Sequence, residues 1–177
     1  MSPSSGLPSA GRLLVVMRHG KAEPFAAEDH RRELTPRGRR DAAEAGAWLA
    51  DHGLKPTHAY VSSAARALGT WASVTQTVEA EAEVSIEDSL YNADPERVLD
   101  VLRGAPADAE VVIYVGHNPA AASLAHLLDS GDPEPDAFRQ LSEGYPTAAL
   151  AVLAVAVPWS DLDEATARLV AFHVGNG

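Results

Sequence analysis

One stretch limits what this chain can become: Leu13-Leu14-Val15-Val16-Met17-Arg18-His19-Gly20. An unbroken apolar run rich in Leu and Val, without polar alternation, reads as a strand buried on both faces. The run stops at a cation, an imidazole and a residue without a side chain. In open α/β sheets, ligands bind beyond the carboxyl ends of the strands. Arg18 and His19 therefore stand where chemistry is usually done.

The remaining pattern predicts what surrounds that strand. A polar loop, Lys21 to Glu33, leads to Leu34-Thr35-Pro36. Thr is a good N-cap and Pro suits the first helical position, so a helix starts here and stops near Gly53. His58 to Val61 is a short strand. Ser62 or Ser63 can cap the next helix, Ala64 to about Glu79. Glu83 to Ile86 is a brief strand, and Glu96 to Arg103 a helix. Glu110 to Val115 is a second strongly apolar strand, ending at Gly116-His117-Asn118-Pro119. A helix, Ala120 to Leu128, follows, then a turn from Gly131 to Pro135. Ala148 to Val157 and Arg168 to Val174 are the last strands. Strands alternating with helices imply an α/β fold: a three-layer α/β/α sandwich on a mostly parallel sheet. The last two strands fit an antiparallel hairpin at one edge.

Length and composition narrow the function. The chain has 177 residues, which suggests a single domain over 11–177 behind a flexible Ser-, Pro- and Gly-rich tail at 1–10. The tail lacks the features of a signal peptide, and no apolar run approaches membrane-span length. A cytoplasmic location is the expectation. Net charge is −11, which argues against nucleic acid or an anionic membrane as partner. There is no Cys, so disulfides, thiol catalysis and zinc–thiolate sites are excluded. Eight of the 14 Lys and Arg lie between Arg12 and Arg40, and 15 of the 25 Asp and Glu between Glu79 and Glu143. That asymmetry is either a patchwork of solvated faces or a basic site for a small anion on an acidic protein.

Three strand ends carry related chemistry: Arg18-His19-Gly20, Ser62-Ser63 with Arg66 one turn on, and Gly116-His117-Asn118-Pro119. In a parallel sheet all three share one edge. Two Arg forks, two imidazoles and a helix start could then hold a tetrahedral dianion. A neutral His is a good nucleophile toward phosphorus, and its phosphorylated form can be hydrolysed by water. The expected roles are His19 as nucleophile, with Arg18, Arg66 and a protonated His117 stabilising phosphoryl charge. Neighbouring Arg charges should keep His19 neutral. The Gly20 backbone could accept a bond from its Nδ1–H. No metal or other cofactor is required. His30, His52, His58, His126 and His173 gain no such support and are expected to be structural.

These residues also carry a resemblance. Met17-Arg18-His19-Gly20-Lys21-Ala22-Glu23 resembles the signature of the histidine phosphatase superfamily. Leu34-Thr35-Pro36-Arg37-Gly38 resembles its following helix start, and Ser62 to Thr70 its Ser-x-x-x-Arg-x-x-x-Thr segment. Val115-Gly116-His117-Asn118-Pro119 resembles its second histidine motif. The compact length and Leu90-Tyr91-Asn92-Ala93 are similar to the SixA-type branch, which is associated with phosphohistidine phosphatase activity. The resemblance implies a phosphoglycerate mutase-like fold and a phospho-His19 intermediate. It places Arg18, Arg66 and His117 in the phosphate pocket, with Arg32 as an outer member. The implied substrate is a phosphohistidine protein or a small phosphoester. The alternatives are a mutase-like phosphotransferase and a non-catalytic phosphate-binding module. In one respect the chain departs from the pattern. The region that carries a Glu general acid in many members holds Glu87 and Asp88, without the usual Gly- and Glu-rich surroundings.

Overall fold

A computed structural model describes residues 7–8 and 11–175. Most of the expected flexible tail therefore lies outside the described residues. The strands are β1 (Arg12–Arg18), β2 (His58–Ser62), β3 (Glu83–Glu87), β4 (Val111–Gly116), β5 (Leu150–Val155) and β6 (Ala167–His173). The helices are α1 (Pro36–Asp51), α2 (Ala65–Thr75), α3 (Pro95–Leu102), α4 (Ala120–Leu128) and α5 (Pro135–Glu143). The sheet order is β3-β2-β4-β1-β5-β6. β3, β2, β4 and β1 are parallel, while β5 runs antiparallel to both β1 and β6. The mostly parallel sheet with its antiparallel edge is as the sequence implied.

Alternation along β1 divides the core. Leu14 and Val16 face a layer that includes Leu99 of α3, Leu124 of α4 and Leu141 of α5. Leu13, Val15 and Met17 face the opposite layer, with Ala45 and Leu49 of α1 and Val74 of α2. Period-two geometry sends successive side chains to opposite faces, so a strand covered on both must be apolar throughout.

Local signals set the helix ends. Thr35 caps α1 by accepting from the Gly38 amide at 3.0 Å, with Pro36 in the first turn. α2 differs from expectation: its N-cap position is Ala64, without a side-chain cap, and it ends at Thr75 rather than near Glu79. The two serines before it are engaged by imidazoles instead, Ser62 with His117 and Ser63 with His30. α5 extends past the turn that the sequence pattern predicts at 131–135. Pro135 opens it, the Glu134 carboxylate accepts from the Ala137 amide at 2.7 Å, and Ala137 and Leu141 bury one side. Pro followed by apolar residues four apart was the available signal.

Candidate active site

The three strand ends meet as expected. Arg18 lies opposite Gly116, and Val61 opposite Val115. His19, His117 and Ser62 therefore emerge on the same edge. The His19 amide donates to the Gly116 carbonyl at 2.9 Å. The two imidazoles meet edge to face with centroids 5.3 Å apart. A pocket of about 380 Å³ opens over them. Arg18, Lys21, Arg32 and Arg66 line it together with both histidines, and no carboxylate among the described residues does so. Ala22, Asn92, Asn118 and Thr147 complete the wall. A cationic pocket thus sits on a protein of net charge −11.

Backbone contacts fix His19. Its Nδ1 lies 2.7 Å from the Gly20 carbonyl oxygen. A carbonyl only accepts, so Nδ1 carries the proton and Nε2 keeps its lone pair. The Gly20 amide donates to Thr70 Oγ1 at 2.9 Å, and that hydroxyl donates to the Arg66 carbonyl at 2.7 Å. Thr70 thereby ties the loop of His19 and Gly20 to the helix bearing Arg66. A Cβ on Gly20 would lie 2.7 Å from the Gly38 oxygen, and one on Gly38 2.2 Å from the Lys21 oxygen. Only glycine at both positions allows the start of α1 to press against this loop.

The arginines are braced from outside the motifs. Arg18 Nη1 and Asn118 Nδ2 both donate to the Tyr145 carbonyl at 3.0 Å, and the Tyr145 hydroxyl donates to the Val16 carbonyl. Arg66 is buried. It donates through Nη1 to the Asp29 carbonyl at 2.9 Å and through Nη2 to the Asp29 carboxylate at 3.1 Å. The same carboxylate accepts from Arg32 Nε at 2.9 Å and from the Tyr91 hydroxyl. The Tyr91 and Arg32 bonds, with the charge of Arg66, hold the Asp29 carboxyl far below the usual carboxylate range. Sequence reading missed Asp29, Tyr91 and Tyr145 as site residues. Asp29 lay in a charged loop that reads as solvated, and no spacing rule links it to Arg66.

One of the expected proton states needs correction. Burial is the main cause that lowers His19 from 6.5 to about 4, and repulsion by Arg66, Arg18 and Arg32 adds to it against the Gly20 bond. Charge repulsion is thus a secondary cause. His117, expected to be protonated, is pushed down to about 3, first by burial and then by His19 and Arg66. Both rings are neutral at pH 7. Protonation removes the Nε2 lone pair, so any chemistry that uses it is lost as pH falls through the His19 value. The acid limb of kcat/KM for the free enzyme should lie near pH 4. A limb near the ordinary 6.5 would contradict this environment.

Arg32 also stands in the pocket wall. Neither Glu87 nor Asp88 lines it. Glu87 accepts from the Ser85 hydroxyl at 2.6 Å, and Asp88 is exposed at the start of a short turn. The expected help from helix amides is small at α4, where the amides of 121, 122 and 123 are bonded to His117, Asn118 and Pro119. Arg37, Arg39 and Arg40 in the first turns of α1 are exposed and stand outside the pocket. His30 bonds Ser63, His52 the Trp48 carbonyl, His58 pairs with Glu83 and His173 with Glu44, while His126 is exposed.

This sheet order, with its strand ends meeting at a basic pocket, defines a phosphoglycerate mutase-like α/β fold. Residues 14–95 match the histidine phosphatase superfamily (branch 1). An uncharacterized protein of Mycobacterium leprae is 35% identical over 163 residues, covering 89% of this chain and 99% of its own. The solved structure of a protein proposed to be the phosphohistidine phosphatase SixA of Nakamurella multipartitia is 32% identical. It superposes with a TM-score of 0.85, covering 97% of this chain and 100% of its own. A second SixA candidate, from Agrobacterium tumefaciens, is 27% identical with a TM-score of 0.77, covering 94% and 99%. The chain belongs to the histidine phosphatase superfamily and is SixA-like in structure. No helix among the described residues is long and apolar enough to cross a membrane.

Proposed function

We propose that this protein is a metal-independent phosphatase that works through a phosphohistidine on His19, with protein phosphohistidine as its substrate class. The observation that carries the reading is the state of His19: neutral, its Nδ1–H spent on Gly20, its Nε2 without a partner among the described residues and beside the cationic wall. Nε2 attacks phosphorus and the bond to the leaving group breaks. Water then attacks phospho-His19, releasing inorganic phosphate and restoring the neutral ring. Arg18, Arg66 and His117 stabilise the charge on the transferred phosphoryl oxygens, with Arg32 further out. Arg18 Nε, Arg66 Nε and His117 Nδ1 are buried without a partner among the described residues. A phosphoryl group supplies acceptors for such donors.

That no carboxylate among the described residues lines the wall bears on the substrate. Departure of an alkoxide needs a placed acid. An imidazole can leave with a proton carried on its other nitrogen, so phosphohistidine makes no such demand. The same feature weighs against a mutase, which must protonate and deprotonate sugar hydroxyls. The test compares kcat/KM for a phosphohistidine protein, an aryl phosphate and an alkyl phosphate. The expected order follows leaving-group quality, with phosphohistidine first. Equal rates on the alkyl phosphate would overturn the reading, because they require an acid.

A further inference from the structure

His117 has one ring nitrogen committed and one that is not. Its Nε2 lies 2.8 Å from Ser62 Oγ, out of contact with solvent. Its Nδ1 is buried without a partner among the described residues. Ser62 is fully buried. Besides the ring, its Oγ has one side-chain contact among the described residues, the Ala64 amide at 3.3 Å. An amide only donates, so this contact takes a lone pair of Oγ and leaves the hydroxyl proton to be placed. The acceptor within reach is Nε2. Were Nε2 itself protonated, the hydroxyl proton would be buried without an acceptor, a costly arrangement.

We infer that Ser62 is a positioning residue: its hydroxyl donates to Nε2 of His117 and so places the ring's proton on Nδ1, making the neutral imidazole a donor to a phosphoryl oxygen. The inference deepens the phosphatase reading and rests on it for the identity of the acceptor. It also removes a difficulty. A neutral ring with the proton on Nε2 would turn a lone pair toward an incoming dianion and repel it. With the proton on Nδ1, no net charge is needed. The two rings then hold the same tautomer in opposite orientations. His19 spends Nδ1–H on a backbone carbonyl and presents a lone pair. His117 has its lone pair occupied by Ser62, while its Nδ1 is without a partner among the described residues.

Nitrogen-15 NMR of the ligand-free protein tests this directly, with the His117 signals assigned by their loss in His117→Gln. In the wild-type protein His117 should be protonated on Nδ1. Ser62→Thr keeps the hydroxyl, suits a strand end, and should keep that tautomer. Ser62→Ala should move population toward the Nε2–H form, weaken inorganic phosphate binding about tenfold, and lower kcat roughly 10- to 100-fold. Ser62→Thr should recover most of both losses. A wild-type His117 protonated on Nε2, or an unchanged tautomer in a folded Ser62→Ala, overturns the inference. The wild-type spectrum decides the matter alone should Ser62→Ala fail to fold. An Nδ1–H tautomer in a wild-type protein that hydrolyses nothing would uphold the role of Ser62 while overturning the phosphatase reading.

Discussion

Replacing His19 with alanine should abolish the covalent intermediate and lower turnover by at least about 10³-fold. The size follows from the role: without Nε2 the reaction has no route through a split displacement, and only binding and charge stabilisation remain. The check is brief incubation with a phosphorus-labelled substrate and a denaturing quench. Wild-type protein should retain label that is acid-labile and alkali-stable, as an N-phosphoryl bond is. His19→Ala should retain none, while its thermal unfolding stays close to wild type, because the ring is only partly buried. Chelation by EDTA should leave wild-type turnover unchanged. Normal turnover by His19→Ala, or full loss with EDTA, would end the proposed mechanism.

Arg66→Ala should cost about 10²- to 10³-fold in kcat/KM, the usual scale for removing a preorganised charge-stabilising donor. Arg66 is buried, yet its guanidinium is held on one side by Asp29, a carboxylate that also bonds Arg32 and Tyr91. Those partners stay when Arg66 is truncated, so the Asp29 turn should persist. Arg66→Lys restores the charge without the planar fork. It cannot meet both Asp29 acceptors and a phosphoryl oxygen together, so it should recover only a minor part of the loss. Steady-state kinetics and inorganic phosphate affinity measured on both variants check this. A fully active Arg66→Lys would show that charge alone suffices.

The parts of the fold visible in the sequence were those governed by local patterns. The apolar runs at β1 and β4 were legible because both faces of the sheet are covered. The start of α1 was legible because Thr35 and Pro36 act within one turn. The meeting of Arg18, His19, Arg66 and His117 followed from parallel strands sharing an edge. What stayed hidden depends on the path of loops. Asp29 reaches Arg66 across 37 residues, and Tyr145 reaches Arg18 across 127. Ser62 and Ser63 showed the converse failure. A serine before a helix reads as a cap, but here tertiary contacts with two imidazoles compete for the hydroxyls and win.

The Tyr145 contact also orders events in time. Its carbonyl braces both Arg18 and Asn118, and its hydroxyl reaches back to Val16 beneath the His19 loop. During synthesis the residues that would do the chemistry leave the ribosome well before this one does. A nascent chain ending short of Tyr145 can contain His19, Arg66 and His117 and still lack the strut that aims Arg18. Catalytic competence should therefore appear late and abruptly in translation, once the chain has passed Tyr145 and β5 can close on β1.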